Sequence, residues 1–251
     1  MITSTTPDTW QALQDEVALI LKECGFTVEL EKTIETVRGT VEVDVYAEEY
    51  VKGRKYSILC ECKHWKSAIP QTVIHSFRTV VSDIGAHVGY IISLNGFQSG
   101  SIKASELTNL KLLTWKEFQN EFEESWYDEY FAPTVAKNLN TLIRYNEPFY
   151  VPKWFVSLPE EEKNRFRALL DKYEEFGVLI EAFTPIFRMI YKRSLPTLPV
   201  AERIPGDSSI FKNVPEEILK EEGYREFLNA ASCFGEQVIK QFREIRDRNK
   251  G

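Results

Sequence analysis

The first half of the sequence alternates between helical and extended patterns of apolar and polar positions. Apolar residues recur every three or four positions over residues 8–24, which predicts a helix. Residues 26–30 and 36–46 then alternate apolar and polar side chains, as strands with one buried face do. A Lys-Gly-Arg turn at residues 52–54 predicts that the second strand forms a hairpin with a third strand over residues 55–62.

Two further helix–strand pairs follow in the same half. Residues 71–84 predict a helix, and residues 87–94 form a nearly continuous apolar run, which is typical of a strand covered on both faces. Residues 99–107 predict a short helix and residues 110–115 a final strand. The order is helix, three strands, helix, strand, helix, strand. This order predicts an α/β fold in which a mixed central sheet is flanked by helices on both sides.

The pattern changes near residue 120. The later features are an aromatic and acidic segment at residues 117–146, an apolar helical pattern at 159–192, a proline-rich segment at 194–209 and a last helix at about 215–248. We therefore divide the chain into an α/β domain over residues 1–120 and a mostly α-helical domain over residues 121–251. The sequence leaves the role of the helical domain open.

The segment SILCECKHWK, residues 57–66, places charged side chains at the end of a predicted strand. Side chains of a strand point to opposite faces in turn, so Glu61 and Lys63 share one face. Charged groups at the end of a buried strand are costly unless they have partners or a task. Asp44 lies one hairpin away on the preceding strand. Two carboxylates, a backbone carbonyl and waters make the oxygen-rich shell that Mg²⁺ prefers.

Composition and charge exclude only a few classes of function. The net charge of −7 gives no general expectation of nucleic-acid binding, so DNA contacts must come from local basic clusters. No apolar run approaches the ~20 residues that span a bilayer, and the first residues lack the pattern of a signal peptide. The four cysteines form no CxxC pair, and Cys60 and Cys62 are expected in the core. We expect a cytoplasmic protein without membrane association.

At these residues the sequence resembles the PD-(D/E)xK nuclease signature, with Asp44 followed by Glu61-Cys62-Lys63. More specifically, residues 9–118 resemble the Mrr-like type IV restriction endonuclease domain. The segments that carry this resemblance are VEVDVYA, YSILCECKHWK, QTVIHSFRTV and GYIISLNGFQSGSIKAS. The resemblance implies that Asp44, Glu61 and the carbonyl of Cys62 are metal ligands, that Lys63 is the catalytic lysine and that Gln71 lines the site. It further implies Mg²⁺-dependent hydrolysis of DNA, with Mn²⁺ as a substitute, in restriction or defence against foreign or modified DNA.

Two positions depart from the family pattern. Many Mrr-like members carry Gln-x-Lys where this chain has Glu-x-Lys, which is the form of the wider superfamily and favours metal binding. The related nucleases also carry a helix glutamate at the position of Gln14, which we expect on the helix surface. Asp15 and Glu16 do not match that spacing, so the sequence leaves open whether one metal ion or two are bound.

Several readings stay open at this point. A D…ExK pattern is weak when taken alone. The alternatives are a structure-specific nuclease of DNA repair or recombination, and a catalytically inactive nuclease fold that binds DNA or protein. Trp65 either contacts DNA or packs against the protein. The aromatic run at residues 122–131 favours helix packing or a homodimer contact over base stacking, and the helical domain is a candidate for binding a regulatory protein partner.

Overall fold

The computed structural model describes residues 1–147, 150–191, 194–203 and 211–248. These residues form two compact units. The first contains residues 1 and 5–129, and the second contains residues 2–4 with the described residues from 130 onwards. The domain boundary near residue 120 stays a prediction. From residue 204 onwards, the proline-rich segment predicted at 194–209 lies outside the described residues. Residue 192, the last residue of the helical pattern predicted at 159–192, also lies outside them.

The first unit follows the predicted order of elements. These elements are α1 (Trp10–Glu23), β1 (Thr27–Thr36), β2 (Gly39–Val51), β3 (Arg54–Lys63), α2 (Gln71–Ile84), β4 (Val88–Ser93), α3 (Ser99–Ser105), β5 (Leu110–Thr114) and α4 (Trp115–Trp126). The strands form one sheet in the order β1-β2-β3-β4-β5. Strands β1, β2 and β3 are antiparallel, whereas β4 runs parallel to both β3 and β5. The predicted mixed sheet flanked by helices is confirmed.

Two tight turns set the register of the antiparallel strands. The predicted hairpin between β2 and β3 is closed by Lys52 and Gly53, whose φ angles of 49° and 77° are both positive. Positive φ at both central residues is the signature of a type I′ turn, which suits the twist of paired strands. The other turn was not predicted. Strand β1 continues to Thr36, which pairs with Gly39, so the prediction of a strand starting at residue 36 is wrong.

The core between the sheet and α2 depends on a close approach of helix and strand. Gly89 on β4 lies where a Cβ atom would be 2.5 Å from Val81, 2.7 Å from Leu110 and 2.9 Å from Phe77. Only a residue without a side chain fits there, because real Cβ contacts do not become so short. This packing sets how closely α2 approaches β4.

The opposite face of the sheet is packed by aromatic rings and by α1. The Tyr90 ring lies 6.1 Å from Phe118 and 5.6 Å from Phe122, measured between ring centroids. Cys60 and Cys62 are buried as predicted, with 0% and 7% of their surface exposed. The two cysteines therefore act as small apolar residues in the core.

The second unit is mainly helical and contains no strand among its described residues. Its elements are α5 (Ala132–Asn146), α6 (Glu160–Glu181), α7 (Pro185–Tyr191), α8 (Glu216–Lys220) and α9 (Tyr224–Arg248), with a π-helix at Tyr127–Phe131 before α5 and 3₁₀ turns at Lys153–Phe155 and Val200–Arg203. The buried rings Phe166, Phe176 and Phe242 fill its core. The aromatic run at residues 122–131 buries Phe122, Trp126, Tyr127 and Phe131, which supports the helix-packing reading.

The prediction of one continuous helix at about 215–248 is wrong. Helix α8 ends at Lys220 and α9 begins at Tyr224. A Cβ atom at Gly223 would lie 2.6 Å from the backbone nitrogen of Ser4. The N–H of Arg225 also donates to the carbonyl of Ile2 at 2.8 Å, so residues 2–4 pack where the helix is interrupted. Across the described residues, none of the helices combines the length and apolar character needed to cross a membrane.

Candidate active site

The predicted acidic residues meet where the pairing of two strands ends. Val45 and Cys60 form the last regular pair between β2 and β3 on that side. Beyond it, the Asp44 carboxylate accepts a hydrogen bond of 2.7 Å from the backbone N–H of Cys62. A side chain thus takes the place of a backbone partner, and the Asp44 carboxylate is fixed against the Glu61-Cys62-Lys63 segment.

Glu61 and Lys63 form an ion pair on one face of β3, as their spacing predicts. The Lys63 Nζ atom lies 2.5 Å from Glu61 Oε1, and the two side chains are only 19% and 22% exposed. Burial raises the pKa of Glu61, and the negative charge of Asp44 raises it further. The ammonium group of Lys63 acts in the opposite direction but does not cancel these two effects. The site therefore concentrates negative charge at a desolvated position.

A cleft of about 350 Å³ opens beside this ion pair. Glu61 and Lys63 line it together with apolar side chains of β2 and α2, among them Val43, Val73 and Phe77. Trp65 stands at the rim with 43% of its surface exposed. The cleft gives a ligand access to the ion pair from solvent, past an aromatic side chain.

The loops after β3 and β4 are bound to each other next to the cleft. Because β3 and β4 are parallel, their carboxyl ends lie at the same edge of the sheet. Asn95 donates from Nδ2 to the carbonyl of Trp65 at 2.5 Å, and Ile69 pairs with Phe97 in an isolated β-bridge. The Lys63 Nζ atom lies 5.8 Å from the centroid of the Trp65 ring. These contacts hold Trp65 near Lys63.

Asn95 was not predicted from the sequence, because an Asn-Gly pair is typical of a turn and indicates no chemical role. Gly96 does have the positive φ of 74° that such a turn requires. The signal that could have located Asn95 is the parallel arrangement of two successive strands, which brings the loops after both strands to one edge.

Gln71, the remaining residue predicted for the site, lies at the first position of α2 and is exposed. A Cβ atom added at Gly100 would lie 2.9 Å from Gln71 Oε1, so this side chain lies against the start of α3. Neither Gln71 nor Asp44 is among the residues that line the cleft. The catalytic role of Gln71 stays a prediction.

Gln14 is buried, so the expectation that it lies on the helix surface is wrong. It is 7% exposed and belongs to the buried face of α1, with Leu13 and Val17. The helical spacing of apolar residues did not include this position because amide side chains are usually exposed. Asp15 is exposed and Glu16 is half-buried on the same helix.

The residues at the site fit a hard cation better than a transition metal. Within the described part of the chain, no group of three or more His, Cys, Asp or Glu side chains is arranged to hold a metal ion. The remaining candidate ligands are two carboxylates, Asp44 and Glu61, and the backbone carbonyl of Cys62. Cys62 lies between Glu61 and Lys63 in the sequence. Mg²⁺ is commonly bound through one or two carboxylates, with waters and substrate phosphates as its other ligands.

The family model described as "Restriction endonuclease", of the Mrr catalytic type, matches residues 8–122. This segment contains all five strands and every residue predicted for the site. Residues 8–122 are therefore similar to the restriction endonuclease family that the sequence resembles.

Comparison with other proteins adds little beyond this match. The curated proteins contain no match to the chain. Among solved structures, one titled "Crystal Structure of Protein of Unknown Function AF1548" shares 17% identity over 74% of this chain and 100% of that chain, with a TM-score of 0.39.

Proposed function

We propose that the protein is a metal-dependent DNA endonuclease that hydrolyses phosphodiester bonds at the end of β3. The observation that carries this proposal is the pair of contacts that bring Asp44, Glu61 and Lys63 together. Asp44 is hydrogen-bonded to the Cys62 backbone, and Glu61 is paired with Lys63 at 2.5 Å beside an open cleft. The match of residues 8–122 to the restriction endonuclease family supports it.

Each residue has a distinct role in this proposal. Asp44, Glu61 and the Cys62 carbonyl hold Mg²⁺, for which Mn²⁺ substitutes, and the bound cation supplies Lewis-acid stabilisation of charge on the phosphate. The Cys62 N–H orients the Asp44 carboxylate, so little reorganisation is needed at the reacting centre. Lys63 carries its positive charge on the same face as Glu61, where it stabilises the negative charge that develops on the attacking and phosphate oxygens.

The biological role belongs to the same proposal. We assign the nuclease to restriction or defence against foreign or modified DNA, on the basis of its likeness to restriction endonucleases. Cleavage of both strands by a domain with a single site calls for two copies, so we further propose that the protein acts as a homodimer. A regulatory protein partner is proposed for the helical residues from 130 onwards.

The direct test is cleavage of supercoiled plasmid by the purified full-length protein with Mg²⁺, Mn²⁺ or EDTA. We expect nicking or linearisation that requires the metal and is lost in Lys63→Ala. The matched control is Lys66→Ala, which removes an exposed lysine from the loop that follows β3 and should cleave like the wild type. Plain, methylated, branched and single-stranded DNA are compared in parallel. Cleavage by Lys63→Ala at the wild-type rate, or no cleavage of any of these substrates by the folded wild type, would contradict the proposal.

A further inference from the structure

The helical unit contains a small polar pocket with two cations and several aromatic rings at its walls. The pocket has a volume of about 200 Å³ and lies between the end of α5 and the 3₁₀ turn at Lys153–Phe155. Arg144, Tyr145, Tyr150, Lys153 and Trp154 line it, with amide and hydroxyl groups of α5, and none of its lining residues is acidic. The nearest acid in sequence, Glu147, is exposed and is not part of the lining.

The two cations at this pocket have no acidic partner among the described residues. Arg144 and Lys153 are both exposed, and neither takes part in an ion pair there. Six cations elsewhere in the described helical unit are paired with a nearby acid: Lys163, Arg165, Arg167, Lys220, Arg246 and Arg248. In a chain with a net charge of −7, this pocket brings two cations together with no acid in its lining. They supply the charge that a phosphate group requires.

The aromatic rings hold one of these cations in place. The guanidinium carbon of Arg144 lies 4.7 Å from the centroid of the Tyr150 ring, within the range of a cation–π contact. Tyr150 is in turn stacked on Tyr145, with ring centroids 6.1 Å apart and an angle of 26° between the planes. Tyr145 packs edge to face on the buried Phe166 and Phe242. The position of Arg144 is therefore set by a ring stack that is anchored in the core.

We propose that this pocket binds a nucleotide, with its phosphate on Arg144 and Lys153 and its base against Tyr150 and Trp154. Cations beside aromatic faces are the combination that binds unpaired nucleotides, because every base offers a flat face for stacking. The nucleotide belongs either to a single DNA strand or to a free mononucleotide.

The test measures binding of a fluorescein-labelled 12-nucleotide single strand to the full-length protein by anisotropy, in EDTA so that nothing is cleaved. The double variant Arg144→Ala/Lys153→Ala should weaken binding about fivefold at 0.1 M salt and lower the slope of log K against log salt by about 0.7, since both cations contact one phosphate and each neutralised phosphate contributes ~0.7. The control is Lys163→Ala/Arg165→Ala, which removes the same charge from paired cations of the same unit and should bind like the wild type. Equal weakening in both double variants, or in neither, would overturn the strand-binding form of the proposal.

Two further measurements test the contact with the Tyr150 ring and identify the source of the nucleotide. Tyr150→Ala should weaken binding at least about fivefold and Tyr150→Phe should restore it, because stacking needs the ring and not the hydroxyl. Calorimetry with deoxyadenosine monophosphate distinguishes a free nucleotide from a strand. If Arg144→Ala/Lys153→Ala abolishes binding of the mononucleotide and leaves the oligonucleotide unaffected, the ligand is the free nucleotide. If the double variant changes neither, the proposal is wrong, whatever the plasmid assay shows for Lys63.

Discussion

The carboxylate of Asp44 and the backbone N–H of Cys62 are joined by a hydrogen bond of 2.7 Å across two strands that no longer pair there. One carboxylate oxygen therefore serves the main chain, and a carboxylate has a second oxygen that can face a cation. Asp44 therefore contributes both to the local fold of β2 and β3 and to the chemistry proposed for the site. These two contributions can be separated by substitution.

Asp44→Asn should abolish cleavage while leaving the fold intact. Asparagine keeps a carbonyl oxygen that can accept from Cys62 but loses the charge, so we expect a fall in cleavage rate of at least about 100-fold. Asp44→Ala should lose cleavage equally and should also lower the free energy of unfolding by about 1–3 kcal/mol, since the Cys62 N–H loses its acceptor. Plasmid cleavage and urea denaturation measure the two effects. Equal unfolding free energies for the two variants would show that the hydrogen bond contributes nothing to stability.

Gly89→Ala should destabilise the nuclease unit. The new methyl group would meet Val81, Leu110 and Phe77 at 2.5–2.9 Å in a closed core, and overpacking of this kind costs about 1–3 kcal/mol. Gly100→Ala is the matched control on α3. Its methyl group would meet the end of the exposed Gln71 side chain, which can move away. Thermal unfolding should therefore separate the two variants, and a lower melting temperature for Gly100→Ala than for Gly89→Ala would contradict this reading of the core.

Glu117 should make a small contribution to stability that depends on pH. Its carboxylate accepts from the backbone N–H and the hydroxyl of Thr114, both at 2.7 Å, at the start of α4. The backbone hydrogen bond first, and the hydroxyl second, lower the pKa of Glu117 below its ordinary value of 4.5. A lowered folded pKa means that the stabilisation is present above the unfolded pKa and is lost as pH falls through the folded pKa.

The variant Glu117→Gln measures this effect. Glutamine can replace the hydrogen bonds without the charge, so its cost at pH 7 should be only about 0.3–1 kcal/mol for an exposed group. The difference in unfolding free energy between wild type and variant should shrink as the pH falls below about 4.5. A difference that stays constant from pH 7 to pH 3 would rule out an ionic contribution. The exposed Glu124→Gln on the same helix serves as a control.

A single cysteine should react quickly with thiol reagents. Cys24, Cys60 and Cys62 are buried, and burial raises the pKa of all three thiols, that of Cys24 to about 12. Cys233 is exposed. Because the thiolate is the reactive species, the native protein at pH 8 should show one fast equivalent with Ellman's reagent and three more after denaturation. Cys233→Ser should remove the fast phase, and a fast phase that persists in this variant would indicate that one of the three buried cysteines is accessible.

The periodicity of apolar residues predicted the order of helices and strands in the first unit, because buried and exposed positions alternate regularly along most of these elements. It failed where polar residues continue a strand. Residues 32–36 are largely charged or hydroxylated, yet they pair with residues 39–43 along the sheet edge, where one face is wet. The break before Tyr224 was missed because it depends on contacts with residues 2–4, more than 200 positions away.

The predicted site was accurate where the chain itself brings residues together. Glu61 and Lys63 are neighbours because they are two positions apart on one strand, and Asp44 is near them because a hairpin connects the two strands. Gln71 and Gln14 could not be placed in this way. Their positions depend on how α2 meets α3 and how α1 packs on the sheet, which no short sequence pattern encodes.

The loops after β3 and β4 are joined by several bonds at once. Besides the contact between Asn95 and Trp65, the hydroxyl of Ser101 donates to the carbonyl of Ile69 at 2.6 Å, and the N–H of Ile69 donates to the carbonyl of Gly96 at 3.0 Å. A substitution that reshapes one loop therefore strains the other. Evolutionary change in these two loops would therefore require paired substitutions. Relatives that prefer a different substrate at the cleft should differ in both loops together. Exchanging one loop alone between such relatives would be expected to yield a poorly folded hybrid, whereas transplanting the two as a set would preserve the fold.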